Sequence, residues 1–452
     1  MNRATAETIA AVATPPGRGA VGILRLSGPA AATIAATMVG ALPAPRSHAL
    51  RRFRDETGAV LDQGLVLCFK APQSYTGEDV IELQGHGGPL VLDQLLRAAC
   101  ALGARQARPG EFSERAFLNG RLDLAQAEAV ADLINASSAA AARAAQRSLD
   151  GALSQRVQVI AEALMTLRVF VEGALDFSDE DVDWLGDERL GARLTEAEQA
   201  VQRLLQDCAR GRRLRDGLVV TLTGRPNVGK STLLNALAGA DVAIVTPIAG
   251  TTRDVLRENL DLDGLPVTLI DTAGLRENSD DPIEQEGMRR ARRALEQAEL
   301  ALFLVDDREG LNAEDQRLLA ALPGRLPRLC LYNKCDLSGR PAGPFEQDGE
   351  IHLRLSAAGG IGLDDLRSRI REQAGLGDAR ESLFSARSRH LEALERTASH
   401  LQAARRRLDQ RQWPELAAEE LRQAQDALGE ITGHVTTEDL LGQIFSAFCI
   451  GK

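Results

Sequence analysis

The stretch Leu218-Val219-Val220-Thr221-Leu222-Thr223-Gly224-Arg225-Pro226-Asn227-Val228-Gly229-Lys230-Ser231 decides the fold of the 452-residue chain. Its first six residues form a short apolar strand, and GxxxxGKS follows at once, opening a helix near Lys230. Strand, glycine loop and helix in that order are the context a phosphate-binding loop requires. The glycines let backbone N–H groups close around a β-phosphate at the positive end of the helix. Lys230 would bridge the β- and γ-phosphates, and the Ser231 hydroxyl would ligate Mg²⁺. Asn227, Val228, Gly229, Lys230, Ser231 and Thr232 are therefore the expected contacts of this loop. An accidental glycine-rich turn is the blander alternative, and so long a match in the right place speaks against it.

Three further elements follow in order. Ile270 closes an apolar strand before Asp271-Thr272-Ala273-Gly274. There the Asp271 carboxylate can hold Mg²⁺ through water, and the Gly274 N–H can meet a γ-phosphate. Leu329–Tyr332 leads into Asn333-Lys334-Cys335-Asp336. A carboxylate at Asp336 can accept from both N1–H and N2–H₂ of guanine, and adenine offers no such donor pair. Ser356 and Ala357, after a further strand, are expected to complete the base pocket through backbone N–H groups. Between the loop helix and the second strand lies Thr246-Pro247-Ile248-Ala249-Gly250-Thr251-Thr252-Arg253-Asp254, where a γ-phosphate-sensing loop belongs. Thr252 is its natural second Mg²⁺ ligand.

The residue after Gly274 is Leu275, where Ras-like proteins carry a water-orienting Gln. Some other group must orient the water, and the segment Glu277–Glu284 supplies carboxylates and amides. Transition-state charge also needs a cation, either an arginine finger or a bound monovalent ion. The Asn227 side-chain oxygen could join backbone carbonyls in holding K⁺; on the loop alone it is equally a turn former beside Pro226.

Residues 217–379 alternate strand-like and helix-like segments at βα spacing. On either side the texture is helical: Leu153, Val157, Ile160, Leu164 and Leu167 recur at helical spacing, as do Leu391, Leu394, Leu401 and Leu408. Residues 119–216 and 380–452 thus read as one discontinuous helical domain carrying an inserted α/β domain. Residues 1–118 mix strands (Val21–Leu26, Leu65–Phe69) with helices (Ala30–Val39, Leu90–Leu102), an α+β pattern. The fold class is multidomain α/β plus α.

The formal charge of −11 disfavours wholesale binding of nucleic acid, so any such site must be a local patch. The six cysteines show neither CxxC pairing nor zinc-like spacing with the six histidines. Scattered reduced thiols, no leader pattern and no membrane-length apolar run make a cytoplasmic location, without membrane partner, the expectation.

The chain resembles the bacterial tRNA-modification GTPase family MnmE (TrmE) over essentially its whole length. The strings that carry the resemblance are Thr14–Gly19, Tyr75–Asp79, Gly85–Gly88, Asn119–Leu124, Gly224–Ser231, Gly250–Asp254 and the terminal Phe448-Cys449-Ile450-Gly451-Lys452. The CIGK terminus is the most specific of these; the phosphate-loop strings are shared with many GTPases. The resemblance implies an N-terminal folate-binding-like domain, a discontinuous helical domain and an inserted Ras-like G domain. It implies a homodimer through the N-terminal domains and an FAD-dependent partner of the MnmG type, the two forming a heterotetramer. Together such proteins install aminomethyl or carboxymethylaminomethyl groups at C5 of the wobble uridine of certain tRNAs. The one-carbon unit comes from a tetrahydrofolate derivative, 5-formyl- or 5,10-methylene-tetrahydrofolate. G domains pair across their nucleotides when K⁺ binds, which activates hydrolysis.

Carried onto this sequence, K⁺ contacts fall on Asn227, Thr246, Ile248 and Thr251, and Mg²⁺ contacts on Ser231 and Thr252. The water-orienting glutamate falls on Glu284, with Asp281 and Glu286 as alternatives. Folate contacts fall on Arg25, Glu82, Arg121 and Lys452, and Cys449 is a candidate reactive thiol. Without the resemblance, Arg25 is an ordinary solvent-facing strand residue, Glu82 its sheet-edge counterpart and Cys449 a small residue packing the tail. Arg210, Arg212, Arg213 and Arg215 could touch tRNA phosphate or form a solvated helix face. The main rival function is a ribosome-assembly GTPase gating RNA binding, which would need an RNA-binding module after the G domain; the tail after Ser385 shows none. A plain folate enzyme with an accessory G domain is the second rival, and no constellation for unaided one-carbon transfer is visible.

Overall fold

The structure is a computed structural model and describes residues 7–176, 188–240, 257–271, 296, 298–376, 384–410, 414–435 and 437–451. It divides into two compact units, one of Met1–Ala131, Leu149–Leu190 and Ala403–Lys452, the other of Asp132–Ser148 and Gly191–Gln402.

The first unit begins with β1 (Ile9–Val12), β2 (Gly19–Ser27), α1 (Ala31–Val39), β3 (His48–Arg54), β4 (Val60–Phe69) and β5 (Val80–Gly87). α2 (Pro89–Ala101), β6 (Arg105–Gln106) and α3 (Glu111–Leu118) follow. The six strands form one sheet in the order β3-β4-β5-β2-β1-β6, antiparallel except for the β1–β6 pair. Period-two alternation explains its layering. Leu24, Leu26, Val66, Leu83 and Phe53 are buried in one core with Met38 of α1 and Leu95 of α2. Both expected strands and both expected helices are present, each within a residue or lying inside a longer element.

The helices α4 (Leu124–Ile134), α5 (Ala139–Leu149), α6 (Ala152–Asp176) and α7 (Glu188–Asp216) come next. The stripe Leu153, Val157, Ile160, Leu164 and Leu167 is buried throughout.

The second sheet comprises β7 (Leu218–Gly224), β8 (Arg257–Leu262), β9 (Leu265–Asp271), β10 (Leu300–Asp306), β11 (Arg328–Asn333), β12 (Gly343–Gln347) and β13 (Glu350–Leu355). α8 (Lys230–Ala240) follows β7, α9 (Ala313–Ala320) follows β10, α10 (Cys335–Ser338) follows β11 and α11 (Leu363–Gln373) follows β13. The strand order is β12-β13-β11-β10-β7-β9-β8, parallel except at the two edge strands. Covered on both faces, β10 has every residue buried, as parallel strands require. The chain ends in α12 (Ser388–Asp409), α13 (Pro414–Thr432) and α14 (Glu438–Ser446), with α13 packed along α6.

Within the second unit one carboxylate gathers three distant segments. Asp132 accepts from Arg215 Nε at 2.8 Å, Arg387 Nη2 at 2.7 Å and Ser385 Oγ at 2.6 Å. The other arginines of the basic run are engaged too: Arg213 donates to the Ala374 carbonyl at 2.8 Å, while Arg212 and Arg210 pair with Glu299 and Asp207 at 3.5 Å. Arg213 and Arg215 of this run thus tie its helix to distant segments of the same unit.

Candidate functional site: a phosphate loop and a base-reading strand end

The second sheet sets its loop where β7 lies between β10 and β9, so that phosphate loop and base-reading segment leave the same edge. Gly224 (φ 136°), Asn227 (φ 64°) and Gly229 (φ 101°) turn the backbone through left-handed conformations. A Cβ at Gly224 would stand 2.4 Å from the Leu304 carbonyl oxygen, and one at Gly229 2.3 Å from Asn333 Nδ2. Only glycine fits either place. Lys230 Nζ donates to the carbonyls of Gly224 at 2.7 Å and Arg225 at 2.8 Å, which lays the ammonium over the loop. Ser231 and Thr232 are exposed in the first turn of α8 and Val228 is buried beneath the loop.

The end of β11 locks onto this loop. Asn333, 2% exposed, donates from Nδ2 to the Val228 carbonyl at 2.8 Å and accepts at Oδ1 from the Ala357 N–H at 2.9 Å. Losing that amide would leave two buried backbone groups unpaired, at about 1–3 kcal/mol each. Lys334, at φ 71°, donates to the Asn227 carbonyl at 2.7 Å and to Asp306 Oδ2 at 2.8 Å. Arg308 also grips Asp306, at 2.9 and 2.7 Å; these hydrogen bonds, with that of Lys334, outweigh burial and hold its carboxyl well below the usual carboxylate range. Asp306 closes the apolar strand Leu300–Val305, a signal legible in the sequence yet absent from the motifs quoted above. Arg225 is turned away from the loop by Asp315, at 2.9 Å, whose carboxylate also completes the capping box of α9.

Asp336 is exposed in the first turn of α10, one turn past Asn333. Ser356 and Ala357 arrive beside it, but their N–H groups are engaged within the protein, Ser356 by the Ile361 carbonyl at 2.9 Å and Ala357 by Asn333. Both N–H groups thus hold the turn after β13 rather than standing open. Asp271 ends β9 opposite Leu222 of β7. Thr246, Pro247, Ile248, Ala249, Gly250, Thr251, Thr252, Thr272, Ala273, Gly274, Glu284 and Lys452 lie outside the described residues.

A second cluster lies in the first unit. Arg25 of β2 and Glu82 of β5 are direct cross-strand partners, Nε to Oε1 at 2.9 Å, with side chains 21% and 13% exposed. Both strands are interior to the sheet, so neither residue is the solvent-facing or edge residue that the strand pattern alone suggests. Arg25 lies 5.6 Å from the Tyr75 ring centroid and 5.7 Å from that of Phe112. Its Nη1 donates to the Gly451 carbonyl at 3.3 Å, which brings the tail to the same place. The tail is held by the Pro109–Ile450 bridge and by the buried Phe445 and Phe448. Cys449 is exposed. Arg121 is exposed too, its stem covering Gly77 in the loop that presents Tyr75. Nearby, burial of Glu111 is more than offset by Arg105, the Arg108 N–H and Arg115, and its carboxyl is lowered to about 2.

A phosphate loop locked to an Asn-Lys-Cys-Asp strand end on a mostly parallel sheet defines a P-loop GTPase, here carried on a helical scaffold. The family described as "GTP-binding protein TrmE N-terminus" matches residues 8–121, and that described as "MnmE helical domain" matches residues 124–449. The chain is 53% identical over 450 residues to the tRNA modification GTPase MnmE of Nitrosococcus oceani, covering 100% of this chain and 98% of that one. It is 54% identical over 445 residues to the protein of the same name from Alkalilimnicola ehrlichii, covering 98% and 99%. Among solved structures it is similar to a point variant of Aquifex aeolicus Era bound to GDP·AlF4−, at 27% identity over 41% of this chain and 66% of that one, with a TM-score of 0.29. The chain belongs to the MnmE family of tRNA modification GTPases.

Proposed function

We propose that this protein hydrolyses GTP in the service of tRNA modification. With an FAD-dependent partner of the MnmG type, as a heterotetramer, it installs the aminomethyl or carboxymethylaminomethyl group at C5 of the wobble uridine. The observation that supports this reading is the lock between Asn333, Lys334 and the phosphate loop, with Asp336 exposed in the next turn, where we read it as the guanine reader. Nucleoside analysis of tRNA from a deletion strain is the test. Unmodified wobble uridine is the expected result; a normal nucleoside profile with defective ribosome assembly would favour the switch-GTPase rival. That rival calls for an RNA-binding module after the G domain, and the described residues there form the helices α12, α13 and α14. A cytoplasmic site of action belongs to the same reading. No described helix is long and apolar enough to cross a membrane.

In this reading Lys230 holds the β- and γ-phosphates, while Ser231, Thr252 and, through water, Asp271 hold Mg²⁺. Bound Mg²⁺ would neutralise charge between the β- and γ-oxygens. The first turn of α8 suits it, because Ser231 is exposed beside the lysine that marks the phosphates. Glu284 orients the attacking water. Asn227, Thr246, Ile248 and Thr251 would hold K⁺, which would supply the transition-state cation in place of an arginine finger. Asn227 fits such a role: its side chain is exposed at the loop tip while its carbonyl is taken by Lys334. Hydrolysis is accordingly expected to rise in K⁺ and not in Na⁺ at matched ionic strength. Equal rates in the two salts would remove K⁺ from the reading.

The N-terminal sheet supports a homodimer, because Leu50 and Leu65 are cross-strand partners exposed at 58% and 39% on β3 and β4. A monomer mass in sedimentation would contradict this. Arg25, Glu82 and Arg121, with Lys452 outside the described residues, are our candidates to bind the tetrahydrofolate derivative: Glu82 would suit the pterin, and the cations would suit the glutamate carboxylates.

A further inference from the structure

We propose that a cleft in the second unit, walled by α5, the β8–β9 hairpin and the end of α11, binds the sugar-phosphate backbone of RNA. The cleft has a volume of about 380 Å³. Arg143 and Arg147 line it from one face of α5, four residues apart, and Arg371 lines it from α11. Residues at that spacing are neighbours on a helix surface, so the two guanidiniums present their charge together. The one carboxylate in the lining, Asp263, stands 4.0 Å from Arg371, so the lining residues carry an excess of two positive charges. Arg143 is exposed and its side chain has no partner among the described residues. The floor is apolar, made by Ala144, Leu214 and Leu265, all buried.

The walls are held in place before any ligand arrives. Asp263 (φ 51°) and Gly264 (φ 90°) form the tight hairpin tip, and a Cβ at Gly264 would lie 2.8 Å from Ala140 Cβ. Ser138 Oγ donates to the Gly264 carbonyl at 2.9 Å, and Arg371 Nη1 donates to the Asp263 carbonyl at 2.5 Å. Guanidinium side chains spread along a cleft wall suit a chain of phosphodiesters. An apolar floor between them suits ribose and base. In a chain of net charge −11, a positive cleft of this kind is the local patch an RNA would need.

The proposal rests on the reading of this protein as a tRNA-modifying GTPase, and the test separates the two. Binding of labelled tRNA to the full chain is measured across a salt series, for the wild type, Arg143→Glu, Arg143→Lys and Arg147→Glu. Arg143→Glu is expected to weaken binding about tenfold and to lower the salt slope by about one, with Arg143→Lys close to wild type. Thermal midpoint and GTP hydrolysis should be unchanged in Arg143→Glu, which excludes a folding defect. Arg147→Glu provides a second wall position and should weaken binding in the same direction. Wild-type affinity and slope in both Glu variants would overturn the cleft and leave the GTPase reading standing. Failure of the wild type to bind tRNA at all would overturn both. Loss of binding to an acidic protein partner, with tRNA binding intact, would likewise overturn the RNA assignment.

Discussion

Replacing Asp336 by Asn is expected to lower GTP affinity by about 10²–10³-fold and to transfer the preference to xanthine nucleotides. In the proposed reading the carboxylate accepts two base N–H groups, and hydrogen bonds to a charged group contribute about 1.5–3 kcal/mol each. An amide in its place presents a donor where guanine also presents one. Xanthine, with a carbonyl at that position, restores the match. The structure makes the substitution clean, because Asp336 is exposed and the lock beneath it is built by Asn333, Lys334 and Asp306. Nucleotide titration with GDP and XDP reads the outcome; a variant that still prefers GDP would refute the base-reading role.

Deleting Cys449 to Lys452 is expected to abolish tRNA modification while leaving GTP hydrolysis within about twofold of normal. The deletion removes the Gly451 carbonyl from Arg25 and the Ile450 bridge from Pro109. It spares Phe445 and Phe448, whose burial against Leu124 and Ala127 anchors α14, so the unit should still fold. The phosphate loop and its lock belong to the other compact unit. Calorimetry of the full chain with 5-formyl-tetrahydrofolate provides the companion measurement. Binding lost in both the deletion and Arg25→Ala supports the pocket; binding untouched by Arg25→Ala would refute it. Normal tRNA modification by the truncated chain would free the tail, and Cys449 with it, from the chemistry.

Much of this was legible in the chain itself. The phosphate loop is a local object: Gly224, Gly229, Lys230 and Ser231 carry their conformational and chemical requirements within eight residues, so a linear string suffices to find it. The same holds for the stripe from Leu153 to Leu167, whose spacing is the period of a helix. Fates that depend on distant partners were not legible. Nothing near Arg210–Arg215 tells that Asp132, Glu299 and Ala374 will take up those guanidiniums, or that Ser356 and Ala357 will give their N–H groups to Ile361 and Asn333. The pairing of Arg25 with Glu82 is set by strand register, and the carbonyl that Arg25 also meets comes from a tail some four hundred residues away in sequence. The arginine-walled cleft has no linear signature, because α5 and α11 meet there only through the turn at Gly264. Periodicity and loop chemistry are short-range and survive in the sequence, whereas charge pairing and concavity arise only when separated segments are brought together.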